Sequence, residues 1–253
     1  MKALRIYTWA LIVALYVPIG VMTLLSFNNS KLPYVWGGFT LRWYEALFRW
    51  EQAWGAVVNS AAVALAVAFA ATVLGVFMAY ALRSDRYLAV SQAAMVMPEV
   101  SESLSFAAAL WLLKSHGGVD LFGPVGVFLA HLAYTLPMAH VLLSPYVAYV
   151  SRSAVEAARI LGASEARTMI SVVMPLLAPA FVATFLIVFA NSFDTYVKTA
   201  FTTSPGFVTA PILLWSYAAR GRGDPTIYAL ATLMLIPSLA AAAIYFRAVK
   251  RYG

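Results

Sequence analysis

Long uncharged runs of apolar residues dominate the chain, separated by short polar stretches. Ile6–Phe27 is the first run and Trp54–Leu82 the second. Tyr87–Leu113 is a third, interrupted only by Glu99 and Glu102. Leu121–Val150 is a fourth and carries His131, Pro137 and His140 but no formal charge. Ile170–Phe193 and Thr226–Phe246 complete the set. A helix that crosses the hydrocarbon core of a bilayer needs about 20 mostly apolar residues. The runs are continuous, whereas a membrane β-barrel alternates in polarity over segments of about ten residues. A helix also bonds its own backbone within one segment, which lipid demands. The pattern therefore predicts an all-α integral membrane protein with six transmembrane helices, at about 6–27, 54–82, 87–113, 121–150, 170–193 and 226–246. Thr203–Ala219 is uncharged but short and contains Pro205, Gly206 and Pro211, so it reads as an outer loop with a partly embedded helix.

Composition narrows the class further. Of the 253 residues, 63% are hydrophobic and only 11% charged. A soluble domain has about half apolar and a quarter charged residues, so a water-facing surface could not be covered here. Disorder fails for the opposite reason, because there is too much apolar surface to hide. The chain has no cysteine, which excludes a disulfide scaffold, a thiolate metal site and a cysteine nucleophile.

The basic residues set an orientation. Lys2, Arg5, Arg83, Arg86, Arg152, Arg159, Arg167, Arg247, Lys250 and Arg251 fall on one side of a six-span topology. Lys31, Arg42, Arg49, Lys114, Lys198, Arg220 and Arg222 fall on the other. The first set is packed against short loops and both termini, which places the N and C termini in the cytoplasm. The net charge of +7 is then a topology signal and not the mark of a nucleic-acid partner. Met1–Arg5 followed by an apolar run imitates a signal peptide, but the run is longer than a usual h-region and no small-residue cleavage pattern follows Leu25. It reads as an uncleaved first span.

The densest signal lies between spans four and five, in the loop 151–175 that runs from Ser151 to Pro175. Good helix formers around Glu156, Ala157 and Ala158 predict one short helix over Ala154–Leu161. Gly162 can adopt the left-handed conformation that ends it. Ser164 is placed to cap a second stretch, with Arg167 three residues on where a capping box would have Glu or Gln. The expectation is a compact helix–turn–helix at the membrane surface.

Glu156-Ala157-Ala158, then Gly162, then Val172, Met174 and Pro175 resembles the EAA loop of ABC-importer permeases. In that family Glu-Ala-Ala is followed after three residues by Gly, and after nine more by Ile, any residue, Leu and Pro. Val172 and Met174 are conservative departures. The resemblance extends to Phe39–Tyr44, Leu47-Phe48 and Asn59-Ser60 near the outer loop, Pro98-Glu99, Thr135-Leu136-Pro137, and Leu161-Gly162-Ala163-Ser164. Ser192-Phe193-Asp194 and Ala229-Leu230-Ala231-Thr232 are similar to the spermidine/putrescine-type branch. The resemblance implies a transport subunit that docks Glu156, Ala157, Ala158, Gly162, Ala163, Ser164 and Pro175 on a separate ATPase. It also implies a working complex of two permease subunits, two ATP-binding subunits and an extracytoplasmic substrate-binding protein in the lipid bilayer. Two small alanines permit close approach of another helix, and Glu156 offers a charge-assisted contact.

The chain contains no GxxxxGK[ST] phosphate loop, so it cannot bind and hydrolyse ATP by that route, and the ATP belongs to partner subunits. His116, His131 and His140 are scattered without metal-ligand spacing, and no cofactor is expected. His131 and His140 read as packed, hydrogen-bonded residues. Trp36, Trp43, Tyr44, Trp50 and Trp54 read as an interfacial aromatic belt.

Ionisable residues at membrane depth are functional candidates by default. Glu99 and Glu102 share a helix face, following Pro98. Asp194 ends span five, with Lys198 four residues later and able to pair with it. Two readings stay open: these groups line a solute path that favours a cation, or they sit near the outer interface as hydrated residues and ion pairs. The polyamine-type branch often carries two adjacent aspartates here; this chain has Asp194-Thr195, and Lys198 where a small or apolar residue is usual. Related permeases carry iron(III), phosphonates, thiamine or opines. A transporter driven by an ion gradient would show inverted repeats with broken helices. An intramembrane enzyme would show converging Ser/His or carboxylate groups. The sequence offers neither pattern.

Overall fold

The computed structural model describes residues 2–32, 34–82, 85–95, 97, 99–150, 152–220 and 224–252. Arg83, Pro98, Ser151 and Arg222, invoked above for topology and motif, lie outside the described residues, as do the side chains of Lys2, Arg152, Arg247, Lys250 and Arg251. Helices α1 (Lys2–Leu25), α2 (Arg42–Phe48), α3 (Glu51–Ala81), α4 (Asp85–Met95), α5 (Glu99–Gly117) and α6 (Pro124–Tyr149) lead to α7 (Arg152–Ile160) and α8 (Glu165–Thr168). A π-helical turn, Met169–Val173, joins α8 to α9 (Met174–Asp194). Then come α10 (Val197–Thr202), α11 (Ala210–Ala219) and α12 (Thr226–Tyr252).

Among the described residues, five helices are long and apolar enough to cross a membrane: Leu4–Leu25, Glu51–Ala81, Pro124–Tyr149, Glu165–Asp194 and Thr226–Ile244. The sixth expected span, 87–113, is a bent pair instead, Arg86–Met95 and Glu99–Gly117, whose axes differ by 97°. The bend puts Glu99 and Glu102 in the first turn of a new helix. That position suits them, because the unpaired N–H groups there carry partial positive charge.

The chain divides into two compact units, Met1–Val58 with Thr209–Pro237, and Asn59–Val208 with Ser238–Gly253. In the first, α1 is apolar and buries none of its span, so its surface suits lipid. The segment after it is tied together by Asn28. Its Nδ2 donates to the Val35 carbonyl at 2.7 Å, its Oδ1 accepts from Gly37 N at 2.8 Å, and its carbonyl accepts from Trp43 Nε1 at 2.7 Å. Trp43 is therefore an internal residue and not a belt residue: a buried indole is stable when its N–H finds a partner. Phe48 stacks on Trp54 at 5.4 Å and Trp50 meets Tyr217 edge-on at 5.0 Å, so these aromatics also pack within the unit. Trp36 remains exposed.

The second unit is built on α3, α6 and α9. Val63, Val67, Ala68 and Ala71 of α3 pack with Val127, Met138 and Ala139 of α6 and Val188 of α9. Small residues let these helices approach closely, which drives association where lipid is as apolar as any side chain. A Cβ on Gly126 would lie 2.5 Å from the Leu121 carbonyl oxygen and 3.2 Å from that of Thr202, at the base of α10. Gly126→Ala is therefore expected to lower stability by about 1–3 kcal/mol through overpacking against backbone. The thermal midpoint of the detergent-solubilised protein checks this, with Gly20→Ala, which meets nothing within 4 Å among the described residues, as the control for the helix-propensity change alone.

Candidate functional site

Two features of the second unit carry chemistry. One is the elbow 151–175. Helix α7 ends in a paired carbonyl-capping motif: Ala163 N donates to Ala158 O at 3.0 Å and Gly162 N to Arg159 O at 2.9 Å. Gly162 sits at φ +83°, the left-handed region that glycine enters without penalty. The Ser164 hydroxyl accepts from Arg167 N at 3.3 Å and so caps α8, as the sequence suggests. Arg159 and Glu165 pair across the turn at 3.0 Å, an exposed contact worth little by itself.

The second helical stretch is not separate, as the sequence reading has it, but runs on into span five. Pro175 has no N–H to give the Ser171 carbonyl, and the chain widens to a π turn over Met169–Val173 instead of breaking. The elbow is anchored from below. Val155 belongs to one buried cluster with Val147 and Val150, with Met169, Val173 and Leu177, and with Val76 and Ala79 of α3. Its other face is open: Glu156, Ala157, Gly162 and Ser164 are exposed, and so are Ile160 and Leu161 at 85% and 87%. Ala158 and Ala163 are half-buried, and Pro175 is exposed.

The other feature is a cavity of about 550 Å³ among α5, α6, α9, α10 and α12, lined by Glu99, Tyr134, Asn191, Asp194, Lys198 and Ser238 among others. The structure corrects the expected pairing here. Lys198 does not meet Asp194; its Nζ donates to Glu99 Oε1 at 2.6 Å and lies 3.7 Å from the centre of the Tyr134 ring. Thr195 Oγ1 donates to the same Glu99 oxygen at 2.7 Å. The physical reason is that α9 ends at Asp194 and Thr195 is extended, so the four-residue helical spacing that would bring Asp194 and Lys198 together is interrupted. Asp194 Oδ2 accepts instead from Ser238 Oγ at 2.7 Å.

Helix α10 is fixed to α6 by His131, whose Nε2 meets Thr199 Oγ1 at 3.0 Å while Nδ1 meets Ser192 Oγ at 2.8 Å. His140 likewise pairs with Ser91 Oγ at 2.7 Å. Both histidines are thus packed and hydrogen-bonded, as expected. Glu102 does not line the cavity, and its Oε2 is buried without a hydrogen-bond partner among the described residues. Tyr134 and Ser238 escape the sequence reading. Each has a faint signal: Tyr134 lies one helical turn after His131, and Ser238 is a hydroxyl directly after Pro237 in an apolar run.

Residues 71–252 match the family described as binding-protein-dependent transport system inner membrane component, a stretch that takes in the whole elbow and every residue of the cavity. The putrescine transport system permease protein PotI of Escherichia coli (strain K12) is 34% identical over 230 residues, covering 87% of this chain and 81% of PotI. The spermidine/putrescine transport system permease protein PotC of Haemophilus influenzae is 32% identical over 229 residues, covering 89% of this chain and 88% of PotC. A putative ABC transporter permease protein, ORF1 of Streptomyces antibioticus, is 31% identical over 202 residues, covering 78% of this chain and 85% of its own. With its apolar spans, its glycine-and-proline elbow and these matches, the chain belongs to the family of binding-protein-dependent transport system inner membrane components, the multi-pass membrane subunits of ABC importers.

Proposed function

We propose that the chain forms part of the solute path of an importer for a small cationic solute of the polyamine type, and that it does no phosphoryl chemistry itself. The relatives PotI and PotC are named for putrescine and spermidine transport. The observation that carries the reading of a subunit driven by a separate ATP-binding partner is the elbow: an exposed surface containing Glu156, Ala157, Ile160, Leu161 and Gly162 whose underside is embedded in the same core as α3, α6 and α9. Interiors are close-packed and resist compression, so a push on that surface moves the helices beneath it. Glu156, Ala157, Ala158, Gly162, Ala163, Ser164 and Pro175 make or shape the contact with an ATP-binding subunit. ATP is bound and hydrolysed by two such partners and no cofactor is needed in this chain.

A second permease subunit completes the path, an extracytoplasmic binding protein delivers the solute, and the N and C termini lie in the cytoplasm. Glu99, Asp194 and Lys198 line the path. Glu102 stands next to it on α5 and tunes the local charge. Alternating access then follows from the elbow swinging the helices between inward- and outward-open states.

Affinity purification of the tagged chain from its own membranes tests this. An ATP-binding subunit is expected to co-purify, and reconstituted vesicles are expected to accumulate solute only with that subunit and ATP present. Uphill transport by this chain alone would overturn the assignment.

A further inference from the structure

Among the described residues, the formal charges lining the cavity are Glu99, Asp194 and Lys198, and they are not equivalent. Lys198 is 3% exposed, its ammonium is held by Glu99 at 2.6 Å, and the Tyr134 ring faces it at 3.7 Å. Its backbone is held too: Thr202 Oγ1 donates to the Lys198 carbonyl at 2.7 Å, and the next residue, Thr199, is bonded to His131. Glu99 Oε1 already accepts two donors, one of them an ammonium. Asp194 is exposed, and among the described residues it has one neutral donor, the Ser238 hydroxyl on Oδ2. An ionised carboxylate can accept about four hydrogen bonds, so Asp194 has capacity left and Glu99 has its charge matched.

We propose that Lys198 is a resident counter-ion that removes Glu99 from solute binding, leaving Asp194 to hold one ammonium group of the solute, so that Lys198 sets how many positive charges the cavity accepts. This deepens the cationic-solute reading and rests on it. Displacing Lys198 would strand a buried ammonium, whereas an amine arriving at Asp194 adds a charge-assisted bond and breaks only a hydroxyl contact. The lysine therefore stays and the aspartate is the vacant anion. With Lys198 replaced by a neutral residue, the same cavity would present two uncompensated carboxylates and suit a second ammonium.

The absence of native cysteine makes the local potential directly measurable. Asn191→Cys places a single thiol in the cavity lining, and its rates with a cationic and an anionic methanethiosulfonate reagent are compared in the assembled transporter, followed by the mass of this chain. Lys198→Met in that background is expected to raise the cation-to-anion rate ratio about tenfold, and Asp194→Asn to lower it about tenfold, the effect of one charge at a partly hydrated site. Lys198→Arg should leave the ratio unchanged. Millimolar putrescine should protect the thiol in the parent and in Lys198→Met, and fail to do so in Asp194→Asn. An unchanged ratio in Lys198→Met, or protection that survives loss of Asp194 and vanishes with Lys198, would overturn the counter-ion role. The expected ratios without protection by putrescine in any variant would support the charge assignment and sink the polyamine reading alone.

Discussion

Glu99→Ala is expected to destabilise the protein by about 3–5 kcal/mol, far more than Lys198→Met, although both remove the same ion pair. The asymmetry comes from burial. The Glu99 side chain is 40% exposed and that of Lys198 only 4%. A glutamate deprived of its lysine can turn to water and still accept from Thr195. A lysine deprived of its glutamate keeps an ammonium in an almost dry site, with the Tyr134 ring as partial compensation. Glu99→Gln/Lys198→Met should therefore recover most of what Glu99→Ala loses, because replacing both members of a buried pair with neutral groups of similar size is often close to neutral. Thermal unfolding of the purified transporter is read for Glu99→Ala and for the cycle of Glu99→Gln, Lys198→Met and their double, which gives the coupling directly. Equal midpoints for Glu99→Ala and Lys198→Met would mean that the lysine has another anion or water within reach, and the account of the site would fail.

That pair also marks where sequence reasoning stops. The spans were legible because lipid allows so few solutions: a long uncharged run is either a helix or nothing. The bend before Glu99 was not, since periodicity cannot see a change of direction within an apolar stretch. The elbow was readable nearly residue by residue, because left-handed Gly162 and the Ser164 cap are local devices whose geometry depends on immediate neighbours. What it missed was the π turn that fuses α8 to α9, a compromise between Pro175 and a helix already committed by packing on both sides. The charged site was half legible. Glu99, Asp194 and Lys198 stand out as expensive residues at membrane depth, but sequence spacing alone pairs Lys198 with Asp194, the acid nearest along the chain. The true partner is 99 residues away, which only the fold can supply. Trp43 failed in the same manner: an aromatic near the interface looks like a belt residue until Asn28 is found to take its N–H.

Gly162→Asp is expected to leave the chain inserted and assembled but to break the link between ATP hydrolysis and transport. A Cβ at Gly162 would meet nothing within 4 Å among the described residues, so it disturbs no part of the described core. Two changes follow all the same. At φ +83° a side chain is strained by roughly 1–2 kcal/mol, which loosens the sharp turn between α7 and α8. A carboxylate also appears next to Leu161, on the surface proposed to enter the ATP-binding partner, where burying an unpaired charge is costly. Gly162→Ala carries the first change without the second and should show a partial defect.

The measurement is the ratio of solute taken up to ATP hydrolysed in proteoliposomes of the full transporter. The ratio should fall at least tenfold for Gly162→Asp, with hydrolysis continuing or rising, and about fivefold for Gly162→Ala, in line with about 1 kcal/mol of strain. A normal ratio for Gly162→Asp would show that the elbow does not carry the force. In that event the embedding of Val155, Met169 and Val173 in the bundle core would be a matter of stability alone.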